Sequence, residues 1–123
     1  HPPRPVMEQV ARVLKPGGLF LLAGPNAASA VHRGKLLLGR SNWSRFDDWY
    51  YPEEFRGHVR EPVLADLLRI VDELGLERRA VFGRNFLLGP RSWKHLALVA
   101  ADPLLRSFPT LCKDLYVLAT KRA

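Results

Sequence analysis

The order of elements in this sequence predicts a layered α/β fold with a largely parallel sheet. Three observations carry that reading. Residues 19–23, Leu-Phe-Leu-Leu-Ala, form a short unbroken apolar run bounded by turn residues, the mark of a strand covered on both faces. Two further stretches, 76–82 and 115–120, have strand character, the last reading Leu-Tyr-Val-Leu-Ala-Thr. Helical periodicities alternate with these strands, giving helix, strand, long connection, helix, strand, insertion, strand.

Taken in order, residues 5–14 read as a helix. Pro5 suits a first-turn position, Val6, Met7, Val10, Val13 and Leu14 make an apolar stripe, and Glu8 lies four before Arg12. Lys15 before Pro16 disfavours further helix, and Gly17-Gly18 lets the chain reverse into the strand at 19–23. A long stretch, 24–61, follows, with a short helix interrupted by Gly34 expected within 27–38. Connections of this length serve as lids or binding loops. Within it Trp43, Phe46, Trp49, Tyr50, Tyr51 and Phe55 place half of the chain's twelve aromatics in thirteen residues, interleaved with Asp47, Asp48, Glu53 and Glu54. Residues 62–74 give the strongest helical pattern, with Pro62 first, Leu64, Leu67, Leu68, Val71 and Leu74 on one face, and Gly75 as the cap. Residues 90–108 form an insertion, helical through Trp93, Leu96, Ala97 and Ala100, that Asp102-Pro103 is expected to break.

The 123 residues make one domain's worth of chain, and 47% hydrophobic content makes it globular. No apolar run approaches the roughly 18 residues of a membrane span, and no signal-peptide core opens the chain. The beginning, His-Pro-Pro-Arg-Pro, has no Met and leads directly into a helix pattern, which reads as a fragment or excised domain. The single Cys112 excludes an intramolecular disulfide and reads as a half-buried thiol beside the last strand rather than a nucleophile. The expected compartment is cytoplasmic. The net charge of +7, from 19 basic and 12 acidic residues, permits affinity for phosphates, nucleic acid or anionic lipid. The densest basic run, 78–94, holds five basic residues and no acid. It is read as a solvated surface, with a polyanion site as the alternative.

Residues 8–18, Glu-Gln-Val-Ala-Arg-Val-Leu-Lys-Pro-Gly-Gly, followed by the strand Leu-Phe-Leu-Leu-Ala-Gly-Pro-Asn, resemble the C-terminal half of class I S-adenosylmethionine-dependent methyltransferases. In that family a helix ending in this motif leads into the fifth strand of a seven-stranded sheet. The segment Gly57-His58-Val59-Arg60-Glu61 and the helix after it resemble the family's next element, and residues 115–121 its closing strand with a terminal basic residue. The resemblance implies a partial Rossmann-like methyltransferase sheet, strands five to seven with the last antiparallel, flanked by helices. It makes residues 1–123 the C-terminal part of one domain, 24–61 a substrate lid and 83–113 an insertion between the last two strands. The family's cofactor loop, glycine-rich after the first strand, and the acidic residue ending the second are absent from this sequence. The cofactor implied is therefore S-adenosylmethionine bound mainly by a missing N-terminal half, with His1 carried over as a cofactor contact. A chain lacking the fourth strand leaves one edge of its first strand open, so poor stability, self-association or dependence on the missing half is expected.

Ligands of open α/β sheets sit beyond the C-terminal strand ends, here residues 23–26. Asn26 is a candidate for substrate binding, or for capping the next helix. His58, at the end of the lid and of a type that titrates near neutrality, is the favoured catalytic base, or else bonds the neighbouring loop. Arg60 is placed on an anionic substrate group, or pairs with Glu61 or Asp48. Trp49, Tyr50 and Tyr51 wall an apolar substrate pocket, or form the lid's own core. His32 and His95 read as surface residues. The function expected is O- or N-methylation of a small-molecule or lipid-like acceptor. The alternatives are a non-catalytic basic module binding a membrane or polyanion, with Trp93, Lys94, Leu96, Leu104 and Leu105 as the membrane contact, and an inactive truncated methyltransferase. Nucleic acid is disfavoured because the dense aromatics are interleaved with acids rather than bases.

Overall fold

A computed structural model describes residues 3–40, 61–85 and 93–122. Helix α1 (Arg4–Val13) leads through the Pro-Gly-Gly turn into β1 (Leu19–Pro25), and α2 (Ala30–Leu37) follows. Helix α3 (Leu64–Glu73), β2 (Glu77–Arg84), α4 (Trp93–Arg106), a 3-10 turn (Pro109–Leu111) and β3 (Asp114–Thr120) complete the described chain. It is a mixed α/β fold whose described strands form one sheet in the order β1-β3-β2.

Both strand pairings are antiparallel, with Leu21 opposite Leu118 in β3 and Ala80 opposite the same residue from β2. The largely parallel sheet expected from the alternation of helices and strands is therefore not formed among the described residues. The reason lies in the connection from β2 to β3. It leaves at Arg84 and returns at Asp114, residues paired with each other, so the chain re-enters at the end it left and must run backwards. β1 and β2 consequently point the same way without touching.

The turn into β1 uses its two glycines differently. Gly17 has φ +75°, open only to glycine at low cost. Gly18 has no room for a side chain, since a Cβ there would lie 2.7 Å from the Lys15 carbonyl oxygen. Lys121, just past β3, donates from Nζ to the carbonyls of Ala11 (2.8 Å) and Arg12 (3.2 Å), giving the end of α1 the cation that its exposed carbonyls favour. On α3, Asp66 accepts from the Val63 N–H at 3.0 Å, and Gly75, φ +67°, closes the helix as its sequence implies.

The core lies on one face of the sheet. Phe20 and Leu22 of β1 and Leu115, Val117 and Ala119 of β3 meet Leu67 and Val71 of α3, with Met7 and Leu14 from the α1 side packed against them. The opposite face of β1 is open: Leu19 is 66% and Leu21 55% exposed. A strand expected to be covered on both faces is thus covered on one. Its outer edge also pairs with nothing among the described residues. Leu19 and Leu21 read as core in the sequence because an apolar run shows what a strand can bury, not what is present to bury it.

Two other expectations are corrected by packing. α4 runs through Pro103 rather than ending at it, held along its inner side by bonds described below. α2 runs through Gly34 and is capped by Ser29, whose Oγ accepts from the His32 N–H.

Candidate functional site

The C-terminal ends of β1 and β2 lie at the same end of the sheet, opposite Asp114 of β3. Two asparagines follow those ends, Asn26 and Asn85, and both grip the segment entering β3. Asn26 is 1% exposed. Its Nδ2 donates to the carbonyls of Thr110 (2.9 Å) and Cys112 (2.8 Å), its Oδ1 accepts from the Ala28 N–H (3.0 Å), and its own N–H donates to the Lys113 carbonyl (2.7 Å). Asn85 accepts from the Lys113 N–H at 2.9 Å through Oδ1 and donates from Nδ2 to Asp102 at 2.7 Å. These bonds clamp residues 110–113 in place.

The clamp bears on the role of Asn26. It was expected to bind substrate or cap the next helix. Both donors of its side-chain amide are engaged inside the protein, and the helix cap is Ser29. Donating a hydrogen bond from Nδ2 to a ligand would require breaking one of these internal bonds, at about 1–3 kcal/mol for the buried group left unpaired.

Cys112 sits inside the same cluster. It is fully buried, donates from Sγ to the Leu105 carbonyl at 3.3 Å, and packs so close to Gly83 that a Cβ on that glycine would fall 2.5 Å from the sulfur. Burial pushes its thiol pKa up, with a smaller opposing effect from the Asn85 hydrogen bond. A thiol held protonated and inaccessible is a packing residue, more deeply buried than the sequence implied. Asp102 has its carboxyl pKa lowered, chiefly by the Asn85 hydrogen bond and further by Arg106, with which it pairs.

His32 is the residue at this end that the sequence did not single out. It was expected on the surface, yet it is half-buried and its Nδ1 lies 2.9 Å from the Asn26 carbonyl oxygen and 4.0 Å from Glu61 Oε2. A carbonyl only accepts, so Nδ1 carries the proton in the neutral ring and Nε2 holds the lone pair. The spacing from Asn26 to His32 (six residues) spans the turn into α2, which carries no signal of contact in a lone sequence.

The remaining candidates, His1, Trp49, Tyr50, Tyr51, His58 and Arg60, lie outside the described residues, as does most of the 24–61 stretch. Of the basic run at 78–94, Arg78 pairs with Asp72 and Arg79 with Glu77, while Arg84 lies 5.2 Å over the Phe82 ring and donates to the Gly83 carbonyl. Arg78 and Arg79 are thus neutralised locally by carboxylates. No group of His, Cys, Asp and Glu among the described residues is arranged to hold a metal ion. A shallow groove between α1 and α3 is lined by Pro3, Met7, Ile70 and Leu74, with its charges paired as Arg4–Glu8 and Glu73–Arg69.

No protein-family model matches the chain, and no curated protein matches it.

Proposed function

We propose that this chain is the substrate-side half of an S-adenosylmethionine-dependent methyltransferase acting on a small-molecule or lipid-like acceptor at oxygen or nitrogen. The observation that carries the reading is the sheet itself. The closing strand β3 is antiparallel, as the resemblance of the Arg-Val-Leu-Lys-Pro-Gly-Gly segment implies, and β1 after that motif has an open edge and an open apolar face. An edge like that suits a strand supplied by further chain.

The described residues do not fit the cofactor. Gly24, the glycine at the β1 exit, is roofed by Pro62 of the same chain, whose Cγ would lie 3.1 Å from an added Cβ. Gly17 and Gly18 are at the other end of the strand. The chain's own contribution is therefore on the acceptor side: to hold the acceptor beyond β1 and to receive the proton its hydroxyl or amine gives up. Two histidines suit the second task. His58 is favoured by the resemblance, and His32 by its position after β1 with an Nε2 that has no partner among the described residues.

The test is transfer of labelled methyl from S-adenosylmethionine to a panel of apolar alcohols, phenols and amines by the longer protein that this reading requires. Activity is expected on at least one acceptor. His58→Ala is expected to lower turnover, and unchanged turnover removes His58 from the reaction. His32→Gln retains a donor for the Asn26 carbonyl but not the lone pair, so it separates a proton-accepting role from a structural one.

A further inference from the structure

Helix α4 presents its apolar side to solvent. Its inner side is anchored: Asp102 accepts from Asn85 Nδ2, the Leu105 carbonyl accepts from Cys112 Sγ, and Leu98, Ala101 and Leu105 are half-buried. The outer side carries Trp93 (74% exposed), Leu96 (64%), Val99, Ala100 and Leu104 (68%). Residues 93, 96, 100 and 104 follow the three- and four-residue spacing of one helical stripe. Surface helices normally turn a polar side outward. Over the roughly 17 Å from Trp93 to Leu104, at about 1.5 Å per residue, no charged position lies on this stripe. Phe108, just past the helix, is also exposed.

The sequence in and beside this helix is one-sided in charge. Residues 84–113 contain Arg84, Arg91, Lys94, Arg106 and Lys113 against the single acid Asp102. An apolar stripe with Trp at one end, in a stretch of sequence with five basic residues and one acid, has the chemistry of a helix lying in the plane of an anionic membrane surface. No described helix is long and apolar enough to cross a membrane. We propose that α4 docks this protein on anionic lipid bilayers through Trp93, Leu96, Val99, Ala100 and Leu104. Leu105, which the sequence grouped with the membrane contact, faces inward and belongs to the anchor.

Co-sedimentation with vesicles of phosphatidylcholine alone and of phosphatidylcholine mixed with phosphatidylglycerol tests this directly. Binding is expected to the mixed vesicles, weakly to the neutral ones, and to fall as salt rises. Leu96→Ser with Leu104→Ser, both at exposed positions, is expected to reduce partitioning by about 100-fold, from the loss of two inserted leucines. Leu37→Ser, at a still more exposed leucine on α2, is expected to leave binding unchanged. Absence of binding to the mixed vesicles overturns the proposal. So does binding that survives the α4 double substitution, or a dimer in size-exclusion chromatography that the double substitution dissociates, since the stripe would then meet a second copy. None of these readouts depends on methyl transfer.

Discussion

Replacing Asn26 separates the two roles that its place after β1 suggests. Asn26→Ala removes two donors and one acceptor. The Cys112 carbonyl lies in a buried environment and is left unpaired, costing about 1–3 kcal/mol. The Thr110 carbonyl and the Ala28 N–H are nearer solvent, and each loses a net contribution of about 0.5–1.5 kcal/mol. Together these give about 4 kcal/mol of lost stability, a large share of the roughly 5–15 kcal/mol that holds a typical domain together. With a urea m-value of about 1–3 kcal/mol/M, the unfolding midpoint should fall by about 2 M. Asn26→Asp is the sharper variant, because it keeps the shape and turns a buried carboxylate towards two carbonyl oxygens. It should destabilise more than alanine. Urea unfolding followed by far-UV circular dichroism measures both. A midpoint shift below about 0.3 M for Asn26→Ala, with ligand binding lost, would refute the clamp and restore Asn26 to a substrate site.

Other outcomes follow from single residues. Gly18→Ala should destabilise by about 1–3 kcal/mol because its Cβ meets a backbone carbonyl, whereas Gly34→Ala, with open space around it inside α2, should stabilise by about 0.5–1 kcal/mol; unfolding midpoints moving the same way would contradict the geometry. The lowered carboxyl pKa of Asp102 gives stability that is complete above its unfolded value, about 4, and disappears as pH falls through the folded one. The stability gap between wild type and Asp102→Asn should therefore narrow on acidification, and a gap constant from neutral pH to acid would show that the carboxylate contributes nothing. Cys112 should resist a soluble aromatic disulfide reagent in the native protein and react on unfolding; rapid native labelling would show the thiol to be accessible.

The elements were legible because their signals are local. The α1 stripe, the Lys-Pro-Gly-Gly turn, the α3 heptad-like spacing and the Gly75 cap each depend on residues within a few positions of one another, and the observed bounds lie within two residues of those expected. The direction and order of the strands were not local. That β3 lies between β1 and β2 is set by a connection that returns to the end it left, and alternation of helices and strands carries no trace of it. The open face of β1 was misread for a related reason, since hydrophobicity marks capacity for burial. At the candidate site, Asn26 was found by its place after a strand, but its hydrogen-bond partners lie 84 and 86 residues away. His32 was passed over because its partner is a backbone carbonyl, which any residue type could have supplied.

The central claim, that this chain supplies the acceptor side while the cofactor is held elsewhere, is tested most directly by calorimetric titration of S-adenosylmethionine. Residues 1–123 alone should give no binding heat, and the longer protein with its preceding half should bind. Absence of binding by that longer protein would contradict the account.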